Sequence, residues 1–346
     1  MRPLPLGLFA AAAASPLVLI GLGALWGGAW PWAAVLWMAF AALALDMLVP
    51  WVAGQGEEAE FPAADALLVT LALSGLLALP ILTWAVASDG SGLSPGQRAA
   101  LFLAGGLWFG QVGHPAAHEL IHRPRPLFGL GVALYSVLLF GHHASAHRLV
   151  HHRFVATADD PNSAPEGESV YRFFRRAWPG SFRAGLRAEQ ELRARAPAGR
   201  RGLHPYAIYL GLGALGLALG FAIAGLAGVL VWAGFGLHFG FQVLLSDYVQ
   251  HYGLRRSASP DGRPAPVGMG QSWNTPHWFS AAMMLNAPRH SDHHAHPSRP
   301  YPALRLPPDA PRLPWPLPLA ATLALFPRFW RRRMRRLLSR LDRPTT

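Results

Sequence analysis

Apolar residues fall in long blocks along this chain rather than alternating with polar ones. A helix needs about 20 apolar residues to cross a hydrocarbon core of about 30 Å, and six stretches approach or exceed that length. Leu6–Leu25 and Trp30–Ala53 form a first hairpin around Gly27 and Gly28, and Ala64–Ala87 and Arg98–Val112 a second around Ser88–Gln97. The fourth run is short but continues helically into His114–His122. Tyr206–Leu245 is about twice a spanning length and divides near Gly225 and Gly228 into a third hairpin. The pattern predicts an all-α, polytopic membrane protein with about six transmembrane helices, at 6–25, 30–53, 64–87, 98–122, 206–225 and 226–250. Residues 1–346 then form one membrane-embedded domain, with segments 142–205 and 251–346 outside the bilayer.

Shorter apolar pieces do not fit a crossing. Leu127–Gly141 is too short to span and is expected to be interfacial, re-entrant or part of the core of the site. Trp315–Phe326, broken by Pro316 and Pro318 and running into Arg328–Arg336, reads as an in-plane anchor on anionic headgroups or as a basic tail. The first run has the look of a secretion signal, but an equally long run follows a two-glycine turn with no polar mature start, so a spanning helix is expected.

Charge orients the bundle. All 30 basic residues are arginine, against 18 acidic ones, for a formal charge of +12. Nine arginines lie in Arg172–Arg201 and eight in Arg328–Arg343, while the turns at Gly27, Ser88–Gln97 and Gly225 have none. The arginine-rich segments therefore belong on the cytoplasmic side. Arg172–Arg201 mixes Arg, Glu and Ala as a solvated or surface-lying helix would. With 52% hydrophobic and 14% charged residues, where soluble domains carry about a quarter charged, the chain is unlike a soluble enzyme, and lipid rather than nucleic acid accounts for the basic excess.

There are no cysteines, which excludes disulfides, thiol nucleophiles, thiolate zinc sites and cysteine-held iron-sulfur centres. Histidine, with 16 copies, is the residue that carries candidate chemistry. His118 and His122 sit at i and i+4 in His118-Glu-Leu-Ile-His122, one turn apart on one helical face. By itself this is the zincin pattern, with Glu119 as general base of a membrane zinc protease. Two further clusters argue for more than one ion. His147, His151 and His152 are spaced i, i+4, i+5, and His290, His293 and His294 are spaced i, i+3, i+4, so that each set is expected to converge towards one side of a helix. His251, at the end of the last span, is ordinarily an interfacial residue. Imidazole suits zinc, copper, iron and nickel alike, so the ligand type does not fix the metal. Glu119, Asp159, Asp160, Asp247 and Asp292 are candidates to orient the imidazoles. Asp46 is costly in lipid and is expected to face the bundle interior. His114, His142, His143, His204, His238, His277 and His296 are left outside the ligand set, with His296 a possible outer partner.

These residues resemble the integral-membrane alkane 1-monooxygenase family, within the wider group of membrane di-iron desaturases and hydroxylases. The matching stretches are HELIHR at His118, HRLVHHRFVATADDPNSAPEGESVYRF from His147 to Phe173, SDYVQHYGL around His251 and NAPRHSDHHAHPSRPY around His290. The resemblance implies nine iron ligands, namely His118, His122, His147, His151, His152, His251, His290, His293 and His294. It implies two non-haem irons and hydroxylation of the terminal methyl of n-alkanes with O2. A membrane di-iron enzyme of fatty acyl chains or methyl-aromatics is the alternative. Electrons are then expected from a separate rubredoxin or ferredoxin with its NAD(P)H reductase, since no cysteine is present to hold a rubredoxin iron. Such carriers are usually acidic, and the arginine-rich face offers a landing site, although orientation alone explains the same arginines. Two positions depart from the family: Ala146 and Gln250 stand where an acidic residue often precedes a box histidine.

Overall fold

The computed structural model describes residues 5–49, 63–197, 202–257, 259, 262 and 264–341. The end of the second apolar run at 50–53, and Arg200, Arg201 and Arg343 of the basic segments, lie outside the described residues. Among the described residues the chain is helical, with no strand beyond isolated bridge positions such as the pair Asn274 and Arg312.

The first hairpin is α1 (Leu6–Trp26) followed by α2 (Trp30–Leu36), a π turn (Trp37–Ala41) and α3 (Ala42–Leu48). The second is α4 (Ala64–Ala87) followed by α5 (Pro95–Trp108), a π turn (Phe109–Gly113) and α6 (His114–Ile121). α5 starts where its sequence dictates. Pro95 occupies the first turn, the Gln97 amide N–H donates to Ser94 Oγ at 3.3 Å, and the Ser94 N–H donates back to Gln97 Oε1 at 2.9 Å. α7 (Leu127–Val137) does not span; it packs against α4, α6 and α11 as part of the wall behind the histidines.

α11 (Pro205–His251) is continuous in hydrogen bonding but not in direction. Ala224 has φ −151° and Gly225 φ +57°, and beyond them the chain turns back on itself. Gly220 then meets Gly228 so closely that a Cβ on Gly228 would lie 1.9 Å from the Gly220 carbonyl oxygen, and Gly216 meets Trp232. The 47-residue helix is thus two limbs of a hairpin, as the composition near Gly225 and Gly228 predicts. α1, the α2–α3 rod, α4 and α11 are each long and apolar enough to cross a membrane. Large apolar side chains point outward from both limbs of α11. Leu210, Phe221, Leu226 and Leu230 are between 62% and 68% exposed, a surface suited to lipid rather than water.

Outside this bundle lie α8 (His143–Ala146), a π turn (His147–His151), α9 (His152–Phe154), α10 (Val170–Arg195), α12 (Trp278–Met283), α13 (His290–Ala295), α14 (Leu317–Ala324) and α15 (Pro327–Leu341). α10 buries Val170, Phe173, Ala177, Ser181 and Gly185 at helical spacing and leaves Arg172, Arg175, Arg183 and Arg187 exposed. α14 packs against α11, and α15 buries Trp330 and Met334, with the Trp330 ring 5.7 Å from that of Tyr252. The apolar segment at 315–326 is therefore covered on one face by α11.

Candidate metal centre

Four parts of the chain deliver imidazoles to one buried volume: the end of α6, the π turn before α9, the end of α11 and α13. All nine histidines of the predicted ligand set meet there, in two groups. His118, His122, His147, His152 and His293 form one, and His151, His251, His290 and His294 the other; within each, the facing nitrogens lie within 4.8 Å of one another.

The division does not follow the sequence clusters. His147 and His152, five residues apart, share a group while His151 belongs to the other, because the π turn at His147–His151 closes i to i+5 hydrogen bonds and stacks residues five apart. His290 and His294 stand one α-helical turn apart and pair with each other, whereas His293 points to the opposite group. The expectation that each set converges on one side is corrected accordingly: the second and third sets each serve both groups.

Distances within the groups are those of nitrogens sharing an ion. His118 Nε2 and His147 Nε2 are 2.8 Å apart, His147 Nε2 and His152 Nε2 2.9 Å, His152 Nε2 and His293 Nε2 3.2 Å, and His290 Nε2 and His294 Nε2 3.1 Å. Two nitrogens at right angles on a metal at about 2.1 Å would lie about 3 Å apart. Hydrogen bonding alone does not satisfy the arrangement. A neutral imidazole nitrogen either donates or accepts, and the buried Nε2 atoms of His122, His151 and His251 have no hydrogen-bond partner among the described residues. Burial, and then the neighbouring imidazoles, hold His147, His152, His290, His293 and His294 well below the usual histidine pKa, so these rings are neutral and their lone pairs free for a metal.

Two rings have their tautomer fixed from behind. His151 Nδ1 contacts Asp160 Oδ2 at 2.8 Å and His251 Nδ1 contacts the Gln271 carbonyl at 2.9 Å, which leaves each Nε2 to face the group. Asp160 also accepts from Ser163 Oγ at 2.6 Å and the Asn162 N–H at 3.0 Å. Burial alone would raise its carboxyl, but His151 and these donors outweigh burial and hold it below the usual carboxylate range. Burial pulls His151 down, Asp160 pulls it up, and the net shift is upward.

The other carboxylates divide. Glu119 accepts from the Tyr301 N–H at 3.2 Å and faces Arg123 at 3.4 Å, an engagement that leaves it unlike the free general base of a zinc protease. Asp292 braces α13 by holding His296 Nδ1 at 3.0 Å, Arg299 and the Arg305 N–H at 2.8 Å. Asp247 accepts from Asn162 Nδ2 at 2.7 Å and lines a small cavity with His118, His147 and His290. Asp159 is exposed. Asp46 faces inward as expected, where it accepts from the N–H groups of Phe279 at 2.8 Å and Ser280 at 3.2 Å and so caps α12. Gln271 is the partner that sequence could not reveal, because it acts through its backbone carbonyl.

The seven histidines outside the set have other settings. His114 Nδ1 contacts Tyr135 Oη at 2.8 Å, His142 packs on Phe140, and His204 accepts from the Tyr206 N–H to cap α11. His143 is closer to the chemistry, its ring centroid 5.0 Å from that of His147. His238 and His277 lie away from both groups, and His296 is the outer partner of Asp292. At the departing positions, Gln250 accepts from Ser246 Oγ at 2.8 Å and donates to the Ala287 carbonyl at 3.1 Å, while Ala146 is buried beside Gly185.

The profile of the fatty acid desaturase family matches residues 96–307, which include every one of the nine histidines. Over 323 residues the chain is 31% identical to alkane 1-monooxygenase 2 of Pseudomonas aeruginosa, covering 90% of this chain and 84% of that protein. The chain belongs to the alkane 1-monooxygenase family. It is 37% identical over 221 residues to an alkane 1-monooxygenase of Ectopseudomonas oleovorans and 35% over 226 residues to one of Pseudomonas putida. Each of those two matches covers 62% of this chain and 54% of the relative, so the alignment spans about half the length of these curated relatives. Membership in this family and the spanning helices make the chain an integral membrane protein, with a histidine-built metal site.

Proposed function

We propose that this member of the family hydroxylates the terminal methyl of medium- or long-chain n-alkanes to primary alcohols, using two non-haem irons held by the nine histidines. The observation that carries the proposal is the pair of imidazole groups at the inner end of an apolar string of cavities. A chamber of about 20 Å³ beside His118, His147 and His290 shares Ser246 and Met284 with one of about 170 Å³. That chamber shares Leu107, Gln111, Pro318 and Thr322 with a third of about 340 Å³, bounded by the α2–α3 rod and the start of α14.

Bound iron would supply oxygen activation and the redox change, with two electrons and two protons consumed per hydroxylation. The chain's own residues hold and aim. Asp160 and Gln271 orient His151 and His251, and Asp292 braces the helix that carries His290, His293 and His294. An alkane has no polar handle, so the slot must position its methyl by shape. Leu107 and Pro318, with Phe40 and Leu43 beyond them, provide apolar wall towards the bilayer.

On this reading the chain crosses a bacterial-type inner membrane six times, with the α5–α6 rod and each limb of α11 counted separately, and the histidines and the exposed arginines of α10 and α15 would face the cytoplasm, as the arginine distribution favours. Electrons would come from a rubredoxin or ferredoxin with its NAD(P)H reductase, a partner whose acidic surface suits those arginines. The test is anaerobic purification with iron quantitation, followed by turnover of octane, dodecane, xylene and a fatty acid with added carrier and reductase. Oxygen- and reductant-dependent 1-alkanols are expected. Zinc in place of iron, or conversion of only the fatty acid or xylene, would overturn the proposal.

A further inference from the structure

α10 lies across both limbs of α11. Phe174 packs on Phe241 of the second limb, with ring centroids 5.1 Å apart, and Phe182 on Tyr206 at the start of the first, at 5.0 Å. Beside these contacts is a groove of about 320 Å³, away from the histidines of the metal set, walled by Trp178 and Phe182 of α10, by Leu139, and by Tyr209, Leu210 and Leu217 of the first limb. It opens onto the outward-facing apolar surface of that limb, where Leu210 is 62% exposed and Ala214, also on its wall, is exposed.

Two polar side chains on the wall are already engaged: Tyr209 Oη lies 2.8 Å from Ser145 Oγ, and His142 Nε2 3.4 Å from Ser181 Oγ. The rest is largely apolar. From Tyr209 to Leu217 the wall follows the helix for about 12 Å, close to the depth of one leaflet in a hydrocarbon core about 30 Å thick. The helix beside it is strongly basic. α10 carries seven arginines and two glutamates, one of which, Glu189, accepts from Ser145 Oγ at 2.6 Å. Arg175 stands nearly one turn before Trp178, on the side of α10 that lines the groove, and is exposed with no ion pair or hydrogen bond among the described residues. Arg187 follows Trp178 by about two and a half turns and so leaves α10 on the opposite side.

A bare hydrocarbon would fill the groove and leave Arg175 unused. An anionic phospholipid uses both features, since its acyl chain matches the apolar wall and its phosphate suits a guanidinium beside Trp178, a ring type that favours the headgroup boundary. We propose that this groove binds one anionic phospholipid, with an acyl chain along Tyr209–Leu217 and the headgroup phosphate at Arg175. The site is independent of the hydroxylase proposal, because none of the nine metal-set histidines lines it.

The experiment uses the whole protein in phosphatidylcholine nanodiscs with a trace of phosphatidylglycerol or phosphatidylcholine that carries a diazirine in one acyl chain. Crosslinked peptides are mapped by mass spectrometry, with the exposed Leu226 and Leu230 of the second limb as the reference for bulk lipid. Relative to that reference, the phosphatidylglycerol probe should label the groove about fivefold more than the phosphatidylcholine probe, the advantage of one arginine near an anionic headgroup. Unlabelled phosphatidylglycerol should suppress this labelling, and an equal mole fraction of dodecane should not. Arg175→Gln should bring the preference to about one, and Arg187→Gln should leave it at about fivefold. Ala214→Trp, which fills the groove from its open side, should lower labelling by both probes to the reference. Thermal midpoints check that each variant is folded. No preference for phosphatidylglycerol, an equal loss with Arg187→Gln and Arg175→Gln, full labelling of Ala214→Trp, or suppression by dodecane as strong as by phosphatidylglycerol would overturn the inference.

Discussion

Replacing Asp160 by Asn tests how the protein aims an imidazole without touching a ligand. The buried carboxylate receives three donors: His151 Nδ1 and Ser163 Oγ on Oδ2, at 2.8 and 2.6 Å, and the Asn162 N–H on Oδ1 at 3.0 Å. An amide keeps one acceptor oxygen. With that oxygen at the Oδ2 place, the new NH2 faces the Asn162 N–H, donor against donor. With it at the Oδ1 place, the NH2 faces His151, which must then accept at Nδ1 and carry its proton on Nε2, the atom turned to the metal. Either way at least one charge-assisted hydrogen bond is lost, about 1.5–3 kcal/mol, or about 10–100-fold in an equilibrium constant. Losses of that size are typical when the partner behind a metal-bound histidine is removed. The assay is iron retained against a graded chelator series under anaerobic conditions. Asp160→Asn should release iron at about 10–100-fold lower free chelator than the parent, and Ser163→Ala, which removes a neutral donor, by a smaller factor. An unchanged release curve in a folded Asp160→Asn protein would refute the reasoning.

His118→Ala, His151→Ala and His293→Ala should each lose bound iron and reduce oxygen-dependent hydroxylation to background, while His204→Ala, which touches only the start of α11, should keep its iron; metal analysis of the four proteins decides. Gly228→Ala should lower the thermal midpoint in detergent by the equivalent of about 1–3 kcal/mol of overpacking, because its Cβ would meet the Gly220 carbonyl, whereas Gly21→Ala has open space and should change little. Equal midpoints would mean that the limbs of α11 do not pack this closely. Asp46→Ala strands the buried N–H groups of Phe279 and Ser280 and should cost about 1–3 kcal/mol per group, with Asp46→Asn recovering part of the loss through its amide oxygen; thermal unfolding of the two variants against the parent checks the order.

The sequence makes the bundle legible because spanning helices announce themselves by length and hydropathy, and the third hairpin because glycines mark its turn. Histidine spacing likewise picks out eight of the nine imidazoles that the fold assembles, whereas His251 stands alone in the sequence and enters the set only through the family resemblance. Their division between two groups is not legible. It depends on the π turn at His147–His151, and such a turn reflects how α8 and α9 are packed, not a residue preference. Carboxylates at similar sequence distance from a histidine also look alike. Asp159 and Asp160 are adjacent, yet one is exposed and the other is locked to His151, a distinction made by the tight loop through Asn162 and Ser163. The segment at 315–326 reads as an in-plane anchor or a basic tail because its short apolar run, its prolines and the arginines after it are visible in sequence, whereas its contact with the distant α11 is not.

The central claim is that two irons sit within cages built from histidine nitrogen. Metal analysis combined with X-ray absorption at the iron edge, on protein purified without oxygen, tests it most directly. The account predicts about two irons per chain in shells dominated by imidazole nitrogen. A single ion per chain, zinc at these sites, or a shell dominated by carboxylate oxygen would contradict it.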